Sequence, residues 1–137
     1  MLKGVHHVHY VVADLNEMIA YFEKNFGLKP VAVEDHGDRG RDAVYQAGPT
    51  LIELTQPTDP NSGQGKWLKE HGSGVYHVAW TIDNLPQVAK DLTAKGGKLR
   101  GENGITQSPR GYRTINIDQQ QTQGVWIQLA QGAMTKK

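Results

Sequence analysis

Four residues of this chain combine donor chemistry with placement that makes them candidates for one site: His7, Glu53, His77 and Gln128. The chain holds six His and no Cys, so metal chemistry must rest on imidazole nitrogens and side-chain oxygens, not thiolates. Two imidazoles with a carboxylate and an amide oxygen suit Zn, Fe(II), Co, Ni or Mn. Four protein donors still leave room on such an ion for water or substrate. Singly, none of the four is informative. A strand His is commonly a hydrogen-bonded structural residue, and a mid-strand Glu or Gln commonly lies on the exposed face of a sheet. Their positions within a repeat carry the argument.

The segment Val5-His6-His7-Val8-His9-Tyr10-Val11-Val12-Ala13-Asp14-Leu15 aligns without a gap on Val75-Tyr76-His77-Val78-Ala79-Trp80-Thr81-Ile82-Asp83-Asn84-Leu85. His7 falls on His77, Val8 on Val78 and Leu15 on Leu85. The register continues through Met18 on Val88, Ile19 on Ala89, Phe22 on Leu92 and Gly27 on Gly97. A duplicated module explains this pattern. Each copy reads as strand, helix and then several strands.

Residues 5–12 alternate, with Val8, Tyr10 and Val12 on one face and His7, His9 and Val11 on the other. Residues 75–82 repeat this, with Tyr76, Val78, Trp80 and Ile82 opposite His77, Ala79 and Thr81. The bulky apolar face should pack under a helix. The first helix is expected from Leu15 to about Asn25, capped by Asp14 and stopped by Gly27, with Leu15, Met18, Ile19, Phe22 and Phe26 as its apolar stripe. The second, near 85–95, begins at Asn84 as cap, accepts Pro86 in its first turn and ends at Gly96-Gly97. Its stripe is Leu85, Val88, Ala89 and Leu92.

Further strands are expected near 29–35, 42–47 and 50–55, and near 98–100, 112–118 and 124–130, with a tight turn at Gly48-Pro49. Strand 50–55 puts Leu51, Glu53 and Thr55 on one face; strand 124–130 puts Trp126, Gln128 and Ala130 on one face. Glu53 and Gln128 thus occupy corresponding mid-strand places. With His7 and His77 they would converge if the two modules pack side by side. Residues 57–74 link the modules through a short helix near Gln64–His71, Gln119-Gln120-Gln121 lies in a hairpin connection, and a frayed end is expected over Met134–Lys137.

The 137 residues amount to one domain made of two half-size modules: module one about 3–58, a linker about 59–73 and module two about 74–131. Hydrophobic residues make up 37% and mean hydropathy is −0.57, with no apolar run long enough for a membrane helix and no leader-like start. A formal charge of +1 is too small for a general nucleic-acid binder. These features predict a cytoplasmic protein without a membrane or nucleic-acid partner.

The chain resembles the vicinal oxygen chelate superfamily, which includes glyoxalases, bleomycin-resistance proteins and dioxygenases. The likeness is carried by His7-Val8-His9-Tyr10-Val11-Val12-Ala13-Asp14-Leu15, Gly48-Pro49-Thr50-Leu51-Ile52-Glu53-Leu54, Gly74-Val75-Tyr76-His77-Val78-Ala79-Trp80 and Gly124-Val125-Trp126-Ile127-Gln128-Leu129. It implies an α+β fold, with two tandem βαβββ modules forming a curved mixed sheet around a central metal-binding cleft. Within the superfamily the chain is most similar to methylmalonyl-CoA epimerases and then to glyoxalase I. The linker Lys66-Trp67-Leu68-Lys69-Glu70-His71 running into Gly74-Val75-Tyr76-His77 resembles the epimerase connection. Carried across residue by residue, the resemblance makes His7, Glu53, His77 and Gln128 ligands of one divalent ion, Zn, Co, Ni, Mn or Fe. It also implies a substrate with neighbouring oxygens, a thioester among the candidates, and a homodimer.

Two departures stand out. Epimerases typically carry Gln on the first-module strand and Glu on the second, whereas here Glu53 comes first and Gln128 second. The His-Pro that usually follows the seventh strand is replaced by Ile117-Asp118-Gln119. An amide does not titrate usefully, so Gln128 is no base. Glu53 is the leading base, with a metal-bound hydroxide as the alternative. Epimerisation by two bases would need a second acceptor from Glu34, Asp35 or His36; a single-base transfer of the glyoxalase kind needs only Glu53. The expectation is therefore a metal-dependent isomerase or lyase acting through an enolate.

Other residues offer supporting chemistry. His9 lies on the His7 face and can bond a ligand or line the pocket. Tyr112, Thr114 and Asn116 alternate along one strand toward the cleft. Arg39, Arg41, Arg110 and Arg113 can grip a phosphate or carboxylate, or stay solvated on loops, and Ser108-Pro109-Arg110-Gly111 can close over a substrate. Two other readings compete. His7, His77 and Glu53 match the ligand count of a non-haem Fe(II) dioxygenase, although family extradiol dioxygenases take their carboxylate from the position of Gln128. A drug-binding resistance protein is the third, against which the complete donor set argues.

Overall fold

Alternation in the first strand produces the buried faces expected of it. The computed structural model describes residues 1–101 and 104–134. Strand β1 (Val5–Val11) leads to helix α1 (Leu15–Phe26), then β2 (Ala32–Asp35), β3 (Arg41–Ala47) and β4 (Thr50–Gln56). Helix α2 (Gly63–His71) precedes the second set: β5 (Gly74–Thr81), α3 (Leu85–Ala94), β6 (Ile105–Gln107), β7 (Arg113–Asn116) and β8 (Ile127–Gln131). The βαβββ order therefore occurs twice, and the fold is α+β. The chain forms two compact units, one of His7–Tyr76 and one of Met1–His6 with the chain from His77 onward.

In the unit His7–Tyr76 the strand order is β2-β3-β4-β1, with β1 parallel to β4 and the other neighbours antiparallel. In the other unit the order is β5-β8-β7-β6, with β5 parallel to β8 and the others antiparallel. The first and last strand of each module thus lie side by side. Because partner residues in a ladder point to the same face, this pairing places His7 and Glu53 on one face, and His77 and Gln128 on one face.

The opposite faces take the helices. Val12, Leu15, Ala43, Tyr45 and Leu54 form one core, joined by Tyr10, Met18, Ile19 and Phe22. Ile82, Leu85, Val88, Ala89, Ile115 and Leu129 form the other, joined by Trp80 and Leu92. Burying each such aliphatic side chain contributes about 2 kcal/mol. Helix α1 starts where Asp14 Oδ1 accepts the Glu17 N–H at 3.0 Å and ends at left-handed Gly27, φ 62°. The strand-end glutamines add a device repeated in both modules. Gln56 Oε1 accepts the Leu15 N–H at 2.9 Å, and Gln131 Oε1 accepts the Leu85 N–H at 2.7 Å.

Several expectations need correction. Asn84 stands before α3 in a left-handed conformation, φ 50°, with no side-chain capping bond, so Gln131 serves the helix start instead. Phe26 belongs to α1 but not to the core, being 65% exposed. It lies in the last turn, where Gly27 reverses the chain, and packs edge-on against Tyr21 and Phe22. Residues 98–100 contribute only the bridge of Leu99 with Ile117. The Gln121 side chain takes the Lys98 N–H and left-handed Gly101, φ 75°, turns the chain, so the outer strand forms at Ile105. The expected frayed end lies, from Thr135 on, outside the described residues. No described helix is long and apolar enough to cross a membrane.

Tyr45 is fully buried, tilted against Phe22 at 4.8 Å, and its hydroxyl has no hydrogen-bond partner among the described residues. Burial, and then the charge of Glu23, raise its pKa above the ordinary phenol value. A raised folded pKa contributes stability that is fully present below the unfolded value of 10.0 and lost as pH climbs through the folded one. Tyr45→Phe removes both the unpaired hydroxyl and this alkaline loss. The variant should be more stable by about 1 kcal/mol at neutral pH. Its advantage should widen above the phenol range, as read from urea midpoints at several pH values.

Candidate functional site

In the unit His7–Tyr76, the β1–β4 register pairs His7 with Leu51, His9 with Glu53 and Val11 with Thr55. The β3–β4 register pairs Asp42 with Thr55 and Val44 with Glu53, and the β2–β3 register pairs Glu34 with Asp42. One face of this sheet therefore carries His7, His9, Glu53, Thr55, Asp42 and Glu34. His7 is 1% exposed, and the Glu53 side chain keeps only 12% of its surface. A carboxylate so withdrawn from water needs compensating charge or donors.

His9 supplies part of that surrounding. Its Nε2 meets Thr55 Oγ1 at 2.7 Å, and its Nδ1 stands 4.0 Å from Glu53 Oε2. Tyr76 packs edge-on against His9 with ring centroids 5.7 Å apart. Trp67 of α2 packs against Tyr76 at 5.2 Å and stacks on His71 at 4.8 Å. The linker helix thus ends in an aromatic file that reaches the His9 ring.

The same face settles which of the acidic segment's side chains stand near Glu53. Glu34 lies on it, whereas Asp35 faces away and accepts the Gly37 N–H at 2.9 Å. His36 Nε2 reaches Asp42 Oδ2 at 3.1 Å and Glu34 Oε2 at 3.4 Å. A ring nitrogen between two carboxylate oxygens must carry its proton, so His36 donates here. Asp42 was not anticipated. Its alternation with Val44 and Gln46 in the expected strand 42–47 was the available signal. Glu34, His36 and Asp42 also hold ligand-type atoms all within 4.8 Å of one another, the one such group of three among the described residues.

In the other unit, Ala79 pairs with Gln128 and Asn116 with Gln128, which puts His77, Gln128 and Asn116 on one face. His77 and Gln128 are each 7% exposed. The His77 ring lies 4.3 Å from the Trp126 ring, tilted by 33°. Trp126 Nε1 donates to Asn116 Oδ1 at 2.8 Å, and Gln128 Nε2 donates to the same oxygen at 2.9 Å. Arg100 stands over Trp126, 4.6 Å from the ring centroid. Thr114 shares this face through its partner Ala130, while Tyr112 precedes β7 and packs against His6. Arg39 and Arg113 are exposed, and Arg41 donates to Asn16 Oδ1 at 3.3 Å. Arg110 lies in the turn between β6 and β7 yet is not solvated, being 5% exposed.

Each unit therefore brings one His and one oxygen donor of the sequence-derived set onto a single buried face. The matching family covers residues 6–115 and is described as the Glyoxalase/Bleomycin resistance protein/Dioxygenase superfamily. The chain belongs to this superfamily. A mitochondrial methylmalonyl-CoA epimerase from Bos taurus is 26% identical over 134 residues, 95% of this chain and 75% of that protein. The crystal structure of the Mycobacterium tuberculosis methylmalonyl-CoA epimerase superposes with a TM-score of 0.84 at 27% identity, over 96% of this chain and 89% of that one. A Streptomyces coelicolor methylmalonyl-CoA epimerase variant in complex with 2-nitronate-propionyl-CoA has the same fold, with a TM-score of 0.83, 22% identity and coverage of 100% and 99%.

Proposed function

We propose that this superfamily member is a divalent-metal-dependent isomerase of the epimerase or glyoxalase kind, acting on a thioester or a hemithioacetal with an acidic C–H beside a carbonyl. The observation that carries this reading is Glu53, a nearly buried carboxylate on the same face as His7 and directly beside His9.

His7, Glu53, His77 and Gln128 would hold the ion. The donors fit: all four are largely buried, two are imidazoles, one is a carboxylate and one an amide whose nitrogen is already engaged. When bound, such an ion supplies Lewis-acid stabilisation of charge developing on a carbonyl oxygen. The rest of the chemistry belongs to side chains. Glu53 takes the proton from the carbon beside the carbonyl. His9, held by its hydrogen bond with Thr55, stands beside that carboxylate, 4.0 Å from its Oε2. Buried Val44 and Leu51 flank Glu53 on that face and limit the water that reaches it.

Asp42 and Glu34 bear on the choice between reactions. Inversion at carbon by two carriers needs a second group to return a proton to the other side. The carboxylate of Asp42, held by His36, lies one strand away from Glu53 on the same face. That favours epimerisation over a single-base shift. Asp42→Asn should slow inversion about a hundredfold while leaving hydrogen exchange through Glu53 nearly intact. Parallel measurement of racemisation and of isotope incorporation checks this.

The decisive experiment is incubation with methylmalonyl-CoA in D2O, with Zn, Co, Ni, Mn or Fe(II) added in turn, followed by mass spectrometry. Deuterium entering at the carbon between the carbonyls is the expected result. A glutathione hemithioacetal of methylglyoxal serves as the second substrate. Exchange with neither, on metal-loaded protein, would end the isomerase reading. We also propose a cytoplasmic homodimer, checked by light scattering.

A further inference from the structure

We infer that Asn116 and Trp126 form a clamp that sets both donors of the second module, turning the Gln128 amide oxygen outward and seating the His77 ring. The inference rests on the proposed metal-binding role of Gln128 and His77, and deepens it.

Donor and acceptor chemistry fixes the orientation of both amides. An indole N–H can only donate. Trp126 Nε1 lies 2.8 Å from the Asn116 side chain, so the atom it faces must be the carbonyl Oδ1, which fixes the Asn116 amide in one of its two orientations. That same oxygen is 2.9 Å from the Gln128 amide. Two acceptors cannot face each other, so Gln128 must present its NH2 group there and turn Oε1 away. An amide that could flip would offer an ion nitrogen as readily as oxygen, and an amide nitrogen is a poor ligand. The Trp126 bond removes that freedom through a single intermediate side chain.

Geometry makes the relay rigid. Asn116 and Gln128 are direct cross-strand partners in the β7–β8 ladder, so the bond between them needs no backbone movement. Trp126 lies just before β8, two residues ahead of Gln128, and contacts His77, with ring centroids 4.3 Å apart. One indole therefore touches both donors, His77 by its ring and Gln128 through Asn116. Arg100 over the indole adds a further restraint on its plane. Asn116 and Trp126 touch no reacting atom in this scheme. They are positioning residues, of the kind whose loss ordinarily costs about ten- to a hundredfold in metal affinity.

The test compares Asn116→Ala, Asn116→Leu and Asn116→Asp in wild-type and Gln128→Ala backgrounds. Zn and Co affinities are measured by competition with a chromophoric chelator. An Asp at 116 still accepts from both the indole and the Gln128 amide, so it should restore affinity to within a few-fold of wild type. The Ala and Leu variants should lose about ten- to a hundredfold, and should lose clearly less once Gln128 is Ala, the remainder being the share carried through Trp126 to His77. Equal losses in both backgrounds would make Asn116 merely structural and overturn the clamp. No loss at Asn116, with a clear loss at Gln128→Ala, would overturn the clamp and leave the metal reading standing. No loss at Gln128→Ala would instead remove the ligand role on which the inference rests.

A second readout needs no metal. In isotope-labelled metal-free protein, the Gln128 side-chain NH2 and the Trp126 indole N–H resonances should move together in Asn116→Ala and stay near wild type in Asn116→Asp. Unchanged resonances in Asn116→Ala would overturn the clamp whatever the metal measurements show.

Discussion

Glu53→Gln should abolish deuterium exchange at the substrate carbon while leaving the protein folded and metal-loaded. The physical basis is the separation of two properties in one side chain. A Gln at 53 retains a carbonyl oxygen in nearly the same place, and Gln128 already shows that an amide can sit buried on the equivalent strand. What the substitution removes is the ability to accept a proton. Loss of a general base costs typically about 10²–10⁴ in rate. Metal content and melting temperature should meanwhile remain close to wild type. Exchange at the full rate in Glu53→Gln would assign the base elsewhere, with Asp42 the next candidate on that face. Loss of metal along with exchange would show that the negative charge of Glu53, and not its position alone, is needed for binding.

The second large effect is expected at the histidines, because two donor sets are present. His77→Ala and His7→Ala should each lose a bound divalent ion that wild type and His36→Ala retain, measured by elemental analysis on protein purified without a metal-affinity column. The partly buried Glu34–His36–Asp42 group already uses the His36 ring nitrogen against two carboxylate oxygens, and those contacts must be broken before it can coordinate. The buried donors at 7 and 77 gain more, since an ion replaces solvation that burial has removed. Stability offers an independent reading. An ion present at a thousand times its dissociation constant stabilises the folded state by about 4 kcal/mol. Wild type should therefore melt roughly 10 °C or more higher with metal than with chelator. The His77→Ala difference should be near zero. Retention of the ion in His77→Ala and its loss in His36→Ala would move the metal to the acidic group.

Some of this site was open to reading in the chain and some was not. Alternation placed His7, His9 and Glu53 on inward faces because period two is a local property of an extended backbone. The same rule paired Glu53 with Gln128 as equivalents. It could not rank Glu34, Asp35 and His36 as proton carriers, because that depends on which strand lies beside β4. The β3–β4 and β2–β3 registers decide it, putting Asp42 and Glu34 on the Glu53 face and Asp35 away from it. Arg110 shows the same limit. A loop arginine flanked by Pro109 and Gly111 reads as solvated, and only tertiary packing buries it to 5% exposure.

The chain alone determined the duplicated βαβββ pattern, both helix spans to within a residue or two, and the two His with two oxygen donors at equivalent places. Those follow from hydrophobic period, capping residues and repeat register, all of which are written over a few consecutive positions. Only the tertiary structure decided how each donor is oriented and what stands next to it. The direction of the Gln128 amide depends on Asn116 and Trp126, and the setting of Glu53 depends on His9 and Thr55. Such contacts join residues from neighbouring strands. Hydrogen-bond direction, donor against acceptor, exists only once the strands are in register.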